Sequence, residues 1–384
     1  MLRNCINDGA NGVTECPIPP NNQKTYNFLA EQYGTTWYEL LTSLCLTCIY
    51  VLTTYRYHSH FSSQYGNGVV GSIQINGPAS LPYDIDLGVF PITDWYYDTA
   101  DEIQERVNNP ATGGAPPPSD NVLFNGTNIN PSGPGGTYAR VKLTPGKRHL
   151  LRLINPSVEN HFSVSLVNHQ MTVIANDLVP VNSFTTNTLF LGIGQRYDVT
   201  IDASQAVGNY WFNVTFSNTG ACGTSLNPRP AAIFSYNGAP NALPTIPGAT
   251  PVESLCHDAY GLTPVITRTA PLTQFTPASN NLPVTFEVDP VLSKVLWKVN
   301  SSSMVVRWEK PTLQFVLEGN TSYPRNENLI SVPTSNVVSA RKYPLLYRKS
   351  CWKQSSGAFG LFKIFHPFRY VHSSSPAWAE LTNI

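Results

Sequence analysis

His58-Ser59-His60 is the stretch of this chain best suited to chemistry. On a strand, residues i and i+2 project to the same side, so two imidazoles at this spacing can chelate a metal ion. Two surface histidines that hold nothing are the commoner meaning of such a pair. The surroundings favour a ligand: Trp37-Tyr38 and Arg56-Tyr57 flank an odd apolar run, and the aromatic stretch Phe61-Ser62-Ser63-Gln64-Tyr65-Gly66-Asn67-Gly68 follows. Cys45-Leu46-Thr47-Cys48 has the C-x-x-C form of zinc and redox sites, but no second ligand pair accompanies it, so neither activity is expected. Glu159, in Glu159-Asn160-His161, reads on residue chemistry alone as a solvated loop carboxylate.

The elements that must position these groups are strands and turns. In 384 residues there are 32 prolines, 26 glycines and 19 tyrosines with only 12% charged residues, a composition of short strands rather than long helices. Strands are expected at 24–28, 69–75, 88–95, 138–143, 149–155, 161–166, 171–176, 189–191, 196–201, 210–216 and 231–236. Two more are expected near 283–288 and 295–300. Their brevity and the Gly/Pro/Asn turns between them argue for a Greek-key sandwich or barrel. The length allows two or three such domains, with Pro78–Pro82 as a linker.

Lys+Arg and Asp+Glu both number 24, which gives no reason to expect nucleic acid or an anionic membrane as a partner. The balance is uneven along the chain: residues 331–384 hold seven bases against the single acid Glu380. Residues 40–55 form an uncharged run, too short and too rich in Thr and Ser for a membrane span. Seven cysteines and the sequons at Asn125, Asn213, Asn300 and Asn320 suggest a secreted, disulfide-forming protein with one thiol unpaired. Met1-Leu2-Arg3-Asn4-Cys5 lacks the apolar core of a signal peptide.

If residues 39–57 are deleted, the text reads Gly-Thr-Thr-Trp-Tyr-His-Ser-His-Phe, which resembles the second copper-binding motif of the multicopper oxidases, specifically the ascomycete-type fungal laccases. Further phrases carry the resemblance from about residue 7 to about residue 330. They are Asn7-Asp8-Gly9, Thr14-Glu15-Cys16-Pro17-Ile18-Pro19-Pro20, Asp120-Asn121-Val122-Leu123-Phe124-Asn125-Gly126, Leu143-Thr144-Pro145-Gly146-Lys147-Arg148 and Gly194-Gln195-Arg196-Tyr197-Asp198-Val199. The resemblance implies an all-β chain of tandem cupredoxin-like Greek-key β-barrels, one partial, one complete and one partial. Its expected divisions are 1–78 for the end of domain 1, 79–251 for domain 2, 252–330 for the start of domain 3, and 331–384 for an unrelated, unordered tail. Residues 39–57 are expected as a foreign insertion, emerging as a loop or short surface helix, so that the histidines enter from a loop. The chain is expected to be truncated at both ends.

The resemblance also implies function. Laccases oxidise phenols by one electron at a time and reduce O₂ to water, with four coppers. His58 and His60 match the family's second histidine pair, Glu159 matches the carboxylate that accepts the phenolic proton, and His149 and His169 match no copper ligand. A Cys222–Cys256 disulfide is implied, as is a free Cys16 whose mate is missing. The other copper phrases have no counterpart; His366-Pro367 is only superficially similar. Two imidazoles cannot hold three coppers, so the chain as written is expected to be inactive, with room for at most one copper. The alternative is a non-catalytic cupredoxin remnant binding that copper through His58 and His60. Phenols and O₂ are the partners implied, with neither membrane nor nucleic acid, for an extracellular monomer.

Overall fold

The computed structural model describes residues 9–29, 32–33, 36–37, 53–75, 77–112, 114–216, 222–248, 256–267, 284–299, 303, 307–318 and 378–381. Its first strands are short: β1 Tyr26–Leu29, β2 Gln32–Tyr33 and β3 Thr36–Trp37. β4 Thr53–His58 pairs antiparallel with β5 Val70–Ile75, in a register that sets His58 opposite Val70. This corrects part of the expected insertion: residues 53–57 are neither loop nor helix but a strand, and it delivers His58 directly from a ladder. Of its residues, Thr53, Thr54, Tyr55 and Tyr57 are β-branched or aromatic, which suits an extended backbone. Residues 39–52, with Cys45 and Cys48, lie outside the described residues.

Two packed sheets follow, built from β6 Ile85–Trp95, β7 Asn121–Phe124, β8 Arg140–Leu143, β9 Arg148–Ile154, β10 Phe162–Leu166, β11 Met171–Asn176, β12 Val179–Thr186, β13 Leu189–Leu191, β14 Arg196–Asp202, β15 Asn209–Thr215 and β16 Ala231–Tyr236. One sheet has the order β12-β11-β14-β9-β6-β7 and the other β13-β10-β15-β16-β8. Within them the pairs β6–β9 and β8–β16 are parallel and the rest antiparallel. Such crossovers, rather than simple hairpins throughout, bear out the all-β Greek-key expectation.

The core lies between the sheets. Phe90 of β6 meets Phe212 of β15 edge-on at 5.7 Å and Phe234 of β16 at 5.9 Å, while Phe212 and Phe234 stack at 5.1 Å. Pairs of this kind contribute about 0.5–1.5 kcal/mol each beyond the area they bury. The alternation in β10, where Phe162, Val164 and Leu166 are buried and their neighbours half-buried, is the period of two that places one face inward. Asn125 and Gly126, with φ of 48° and 83°, make the tight turn after β7, which a two-residue Asn-Gly loop does at little cost.

Several elements were not anticipated, among them β7, β12 and helix α1, Ala100–Asn108, whose Thr99 cap and Glu102 exchange hydrogen bonds in a capping box. Beyond the sandwich, β17 Val284–Asp289 and β18 Lys294–Val299 form an antiparallel pair near the expected positions, and α2 spans Thr312–Leu317. Within residues 331–384, expected to be unordered, β19 Trp378–Leu381 is a strand paired with β1, which corrects that expectation for these four residues.

Candidate functional site

His58 ends β4 and His60 follows it in the turn, where Ser59 fixes the path. The Ser59 N–H donates to Val69 O at 3.0 Å, and the Ser59 hydroxyl accepts the Phe61 N–H at 3.1 Å while donating to Gln64 Oε1 at 2.8 Å. The two imidazoles therefore lie on one side, ring centroids 4.4 Å apart. His58 Nδ1 is 3.0 Å from the carbonyl of Ser59, and a hydrogen bond there requires the proton on Nδ1, leaving the lone pair on Nε2. Tyr65 packs against His58 with centroids 5.3 Å apart. Among the described residues, no group of three or more His, Cys, Asp or Glu side chains converges. The pair has the placement of two ligands, but it does not by itself make a copper site.

The loop after the pair is clamped to α1. Asp101 accepts from Ser63 Oγ and, at 3.1 Å, from Asn67 Nδ2; Asn67 Oδ1 accepts the Ala100 N–H at 2.7 Å. Gly66 of this loop rests on Ala100 and on Val158, leaving no room for a Cβ. Val158 belongs to the turn that carries Glu159, so the histidine loop and the glutamate turn are in contact.

That turn leaves β9 and curls over Asp94, near the end of β6. Asp94 Oδ1 accepts the N–H of Val158 at 3.0 Å, and Oδ2 accepts the N–H groups of Glu159 at 2.9 Å and Asn160 at 3.0 Å. Glu159 is half-buried, and among the described residues nothing donates to its carboxylate. Burial, and then the charge of Asp94, push its carboxyl from the ordinary 4.5 up to about 7. Burial likewise raises Asp94, against the opposing pull of its N–H donors. Burial and then the carboxylates of Asp94, Glu159 and Asp120 raise the nearby Tyr96 phenol. The result is a proton acceptor that changes charge close to neutrality, on an edge that also presents Trp95 and Tyr97, rings 4.5 Å apart.

The remaining candidates are structural. His149 is buried, its Nε2 accepting the Thr144 N–H at 3.0 Å. His169 bridges Val167 O at 2.8 Å and the Tyr236 hydroxyl at 2.7 Å, and burial lowers the pKa of both histidines. His161 Nδ1 accepts the Ile193 N–H at 3.2 Å. Cys222 and Cys256 are bridged, as expected, and Cys16 is exposed and unbridged. His366 lies outside the described residues. Asp94 and Asp101 had no signal of their own in the sequence, since an acid at a strand end or in a first helical turn is ordinary. Among the described residues no helix is long and apolar enough to cross a membrane.

Multicopper oxidase family models match residues 1–44 and 86–239. Laccase-1 of Melanocarpus albomyces is 56% identical over 329 residues, covering 85% of this chain and 49% of that protein. Laccase-3 of Botryotinia fuckeliana is 44% identical over 338 residues, covering 86% and 68%. The crystal structure of the laccase from Botrytis aclada superposes with a TM-score of 0.69 at 34% identity, covering 87% of this chain and 58% of that one. The chain spans about half the length of most of the laccases it matches.

Proposed function

The chain belongs to the multicopper oxidases, on the side of the fungal laccases, and from that premise we propose that it carries two parts of a laccase site: the phenol-facing carboxylate Glu159 and one imidazole pair, His58 and His60. The activity in view is one-electron oxidation of phenols coupled to reduction of O₂ to water. Phenols and O₂ are the partners, and the protein is an extracellular monomer. The divisions near residues 78, 251 and 330 go with the same reading.

What carries it is the Glu159 turn. A carboxyl that titrates near 7 takes the proton of a phenol more readily than an ordinary one near 4.5. A phenol that has given up its proton loses an electron more easily, because the product is then a neutral radical rather than a cation. Glu159 as carboxylate accepts the phenolic hydrogen bond and then the proton; Tyr96 beside it, with its raised pKa, remains a neutral phenol.

The copper side is incomplete. The eight histidines of the sequence include one H-x-H pair, and among the described residues no third His, Cys, Asp or Glu joins it in a metal-binding group. No step is assigned to copper, and the chain by itself is an inactive oxidase holding at most one ion through His58 and His60. Copper titrated into the purified chain should develop no blue thiolate band, and hydroquinone should provoke no dioxygen uptake. Either signal refutes the inactive reading.

A further inference from the structure

β6 and β9 run parallel, with Pro91 beside Ile154, so both strands leave the sheet at the same edge. Asp94 stands one residue before the end of β6, and the residues that follow β9 fold back over it. Besides the three backbone N–H groups of 158–160, its Oδ2 accepts Asn160 Nδ2 at 3.2 Å. In return the Asp94 N–H donates to Ser157 Oγ at 2.9 Å. Four donors converge on one carboxylate that is only 7% exposed. A neutral amide in its place would turn an N–H₂ group toward some of those donors, so the site selects for an acid.

We propose that Asp94 is the positioning residue of this site, holding the Glu159 turn in one conformation and setting a fixed negative charge beside the Glu159 carboxyl. The proposal rests on the reading of Glu159 as the phenol-facing group. Asp94 touches no substrate; it acts through Glu159. An anchor that merely stabilised the turn would leave the proton affinity of Glu159 alone, whereas a charged anchor adds to the rise that burial causes. The ionisable groups at this edge are Asp94, Glu159, Tyr96 and Asp120, and of these Asp94 is the one whose charge raises Glu159. Four N–H donors favour the ionised form of Asp94, and its burial opposes them and raises its carboxyl.

The experiment is a carboxyl titration by NMR on the full chain with ¹³C-labelled glutamate, comparing wild type with Asp94→Asn. The wild-type midpoint is expected at about 7. In the variant it should fall by about 1 pH unit, the size of a single nearby charge. An unmoved midpoint overturns the proposal. Amide exchange of wild type covers the case in which the variant does not fold: the N–H groups of Val158, Glu159 and Asn160 should be protected, and exchange as fast as that of an unbonded loop refutes the anchor. Hydroquinone then separates the two readings. It should move the Glu159 signal in wild type, and several-fold more should be needed in the variant. No movement in wild type refutes the phenol reading, and equal dependence in both proteins refutes positioning.

Discussion

Gly66 and Val158 touch across the seam between the histidine loop and the glutamate turn, so closely that a Cβ on Gly66 would stand 3.0 Å from Val158 Cγ1 and 2.7 Å from Ala100 Cβ. Contacts that short are not met by carbon atoms in folded proteins, so the loop must shift to admit even a methyl group. Gly66→Ala should destabilise the protein by about 1–3 kcal/mol, the usual cost of overpacking. It should also move the His58 and His60 ring signals, because the loop that holds them is seated there. Urea unfolding together with histidine NMR checks both; unchanged rings with unchanged stability would mean the seam is loose.

Glu159 gives stability a pH dependence of definite sign. Its carboxyl titrates at about 7 in the fold and at 4.5 when unfolded, so between those values the folded state holds the extra proton. Stability therefore falls as pH rises from 4.5 through 7. For a half-buried group, after screening by solvent, the loss is about 1 kcal/mol. His149 and His169, lowered by burial, act in the opposite direction, losing stability as pH falls below 6.5. Glu159→Gln isolates the first effect: its stability relative to wild type should climb across that window. A constant difference would show that Glu159 titrates normally.

The strands of the sandwich were legible because period-two alternation and Asn-Gly or Pro-Gly turns are local signals. β10 and β16 fall within one residue of their expected bounds for that reason. α1 was missed although Thr99-x-x-Glu102 writes a capping box, because its nine residues contain few apolar ones to set a helical period. The imidazole pair was visible as spacing. Glu159 was visible only through family likeness, and Asp94 through neither: its partners lie more than sixty residues away, joined by the parallel β6–β9 crossover. The strand at 53–57 was hidden because the copper-motif phrase becomes continuous only when those residues are left out, whereas β5 offers them a ladder.

The Cys222–Cys256 bridge closes a span of 34 residues. Chain entropy for a loop of that size gives about 4 kcal/mol of stabilisation. The double variant Cys222→Ser/Cys256→Ser should lose most of that. Asp258 would still accept from Gln195 Nε2 at 3.0 Å and Tyr197 Oη at 2.8 Å, which keeps the segment after the bridge near β14. Thermal unfolding with and without reductant checks the estimate, and equal melting temperatures for both proteins would contradict it.

Arg152 sets the last prediction, because it is a fully buried cation between two acids. Its Nη1 donates to Asp198 Oδ2 at 2.7 Å across the β9–β14 pair, and its Nη2 to Asp86 Oδ2 at 3.0 Å on β6. Three adjacent strands are thus tied at one point in the middle of the larger sheet. Such a triad contributes modestly as a whole, since desolvation offsets most of the attraction, but breaking it strands buried charge. Arg152→Met keeps the length and apolar stem while removing the cation, and should cost about 3–5 kcal/mol at neutral pH. Burial already pushes the Asp198 carboxyl up with the arginine present, and without it the carboxyl must rise further. The penalty should therefore shrink as pH falls and Asp198 takes up a proton. Denaturant titrations of both proteins at neutral and acidic pH decide this: a penalty that stays constant or grows in acid would mean that the cost is packing, not charge.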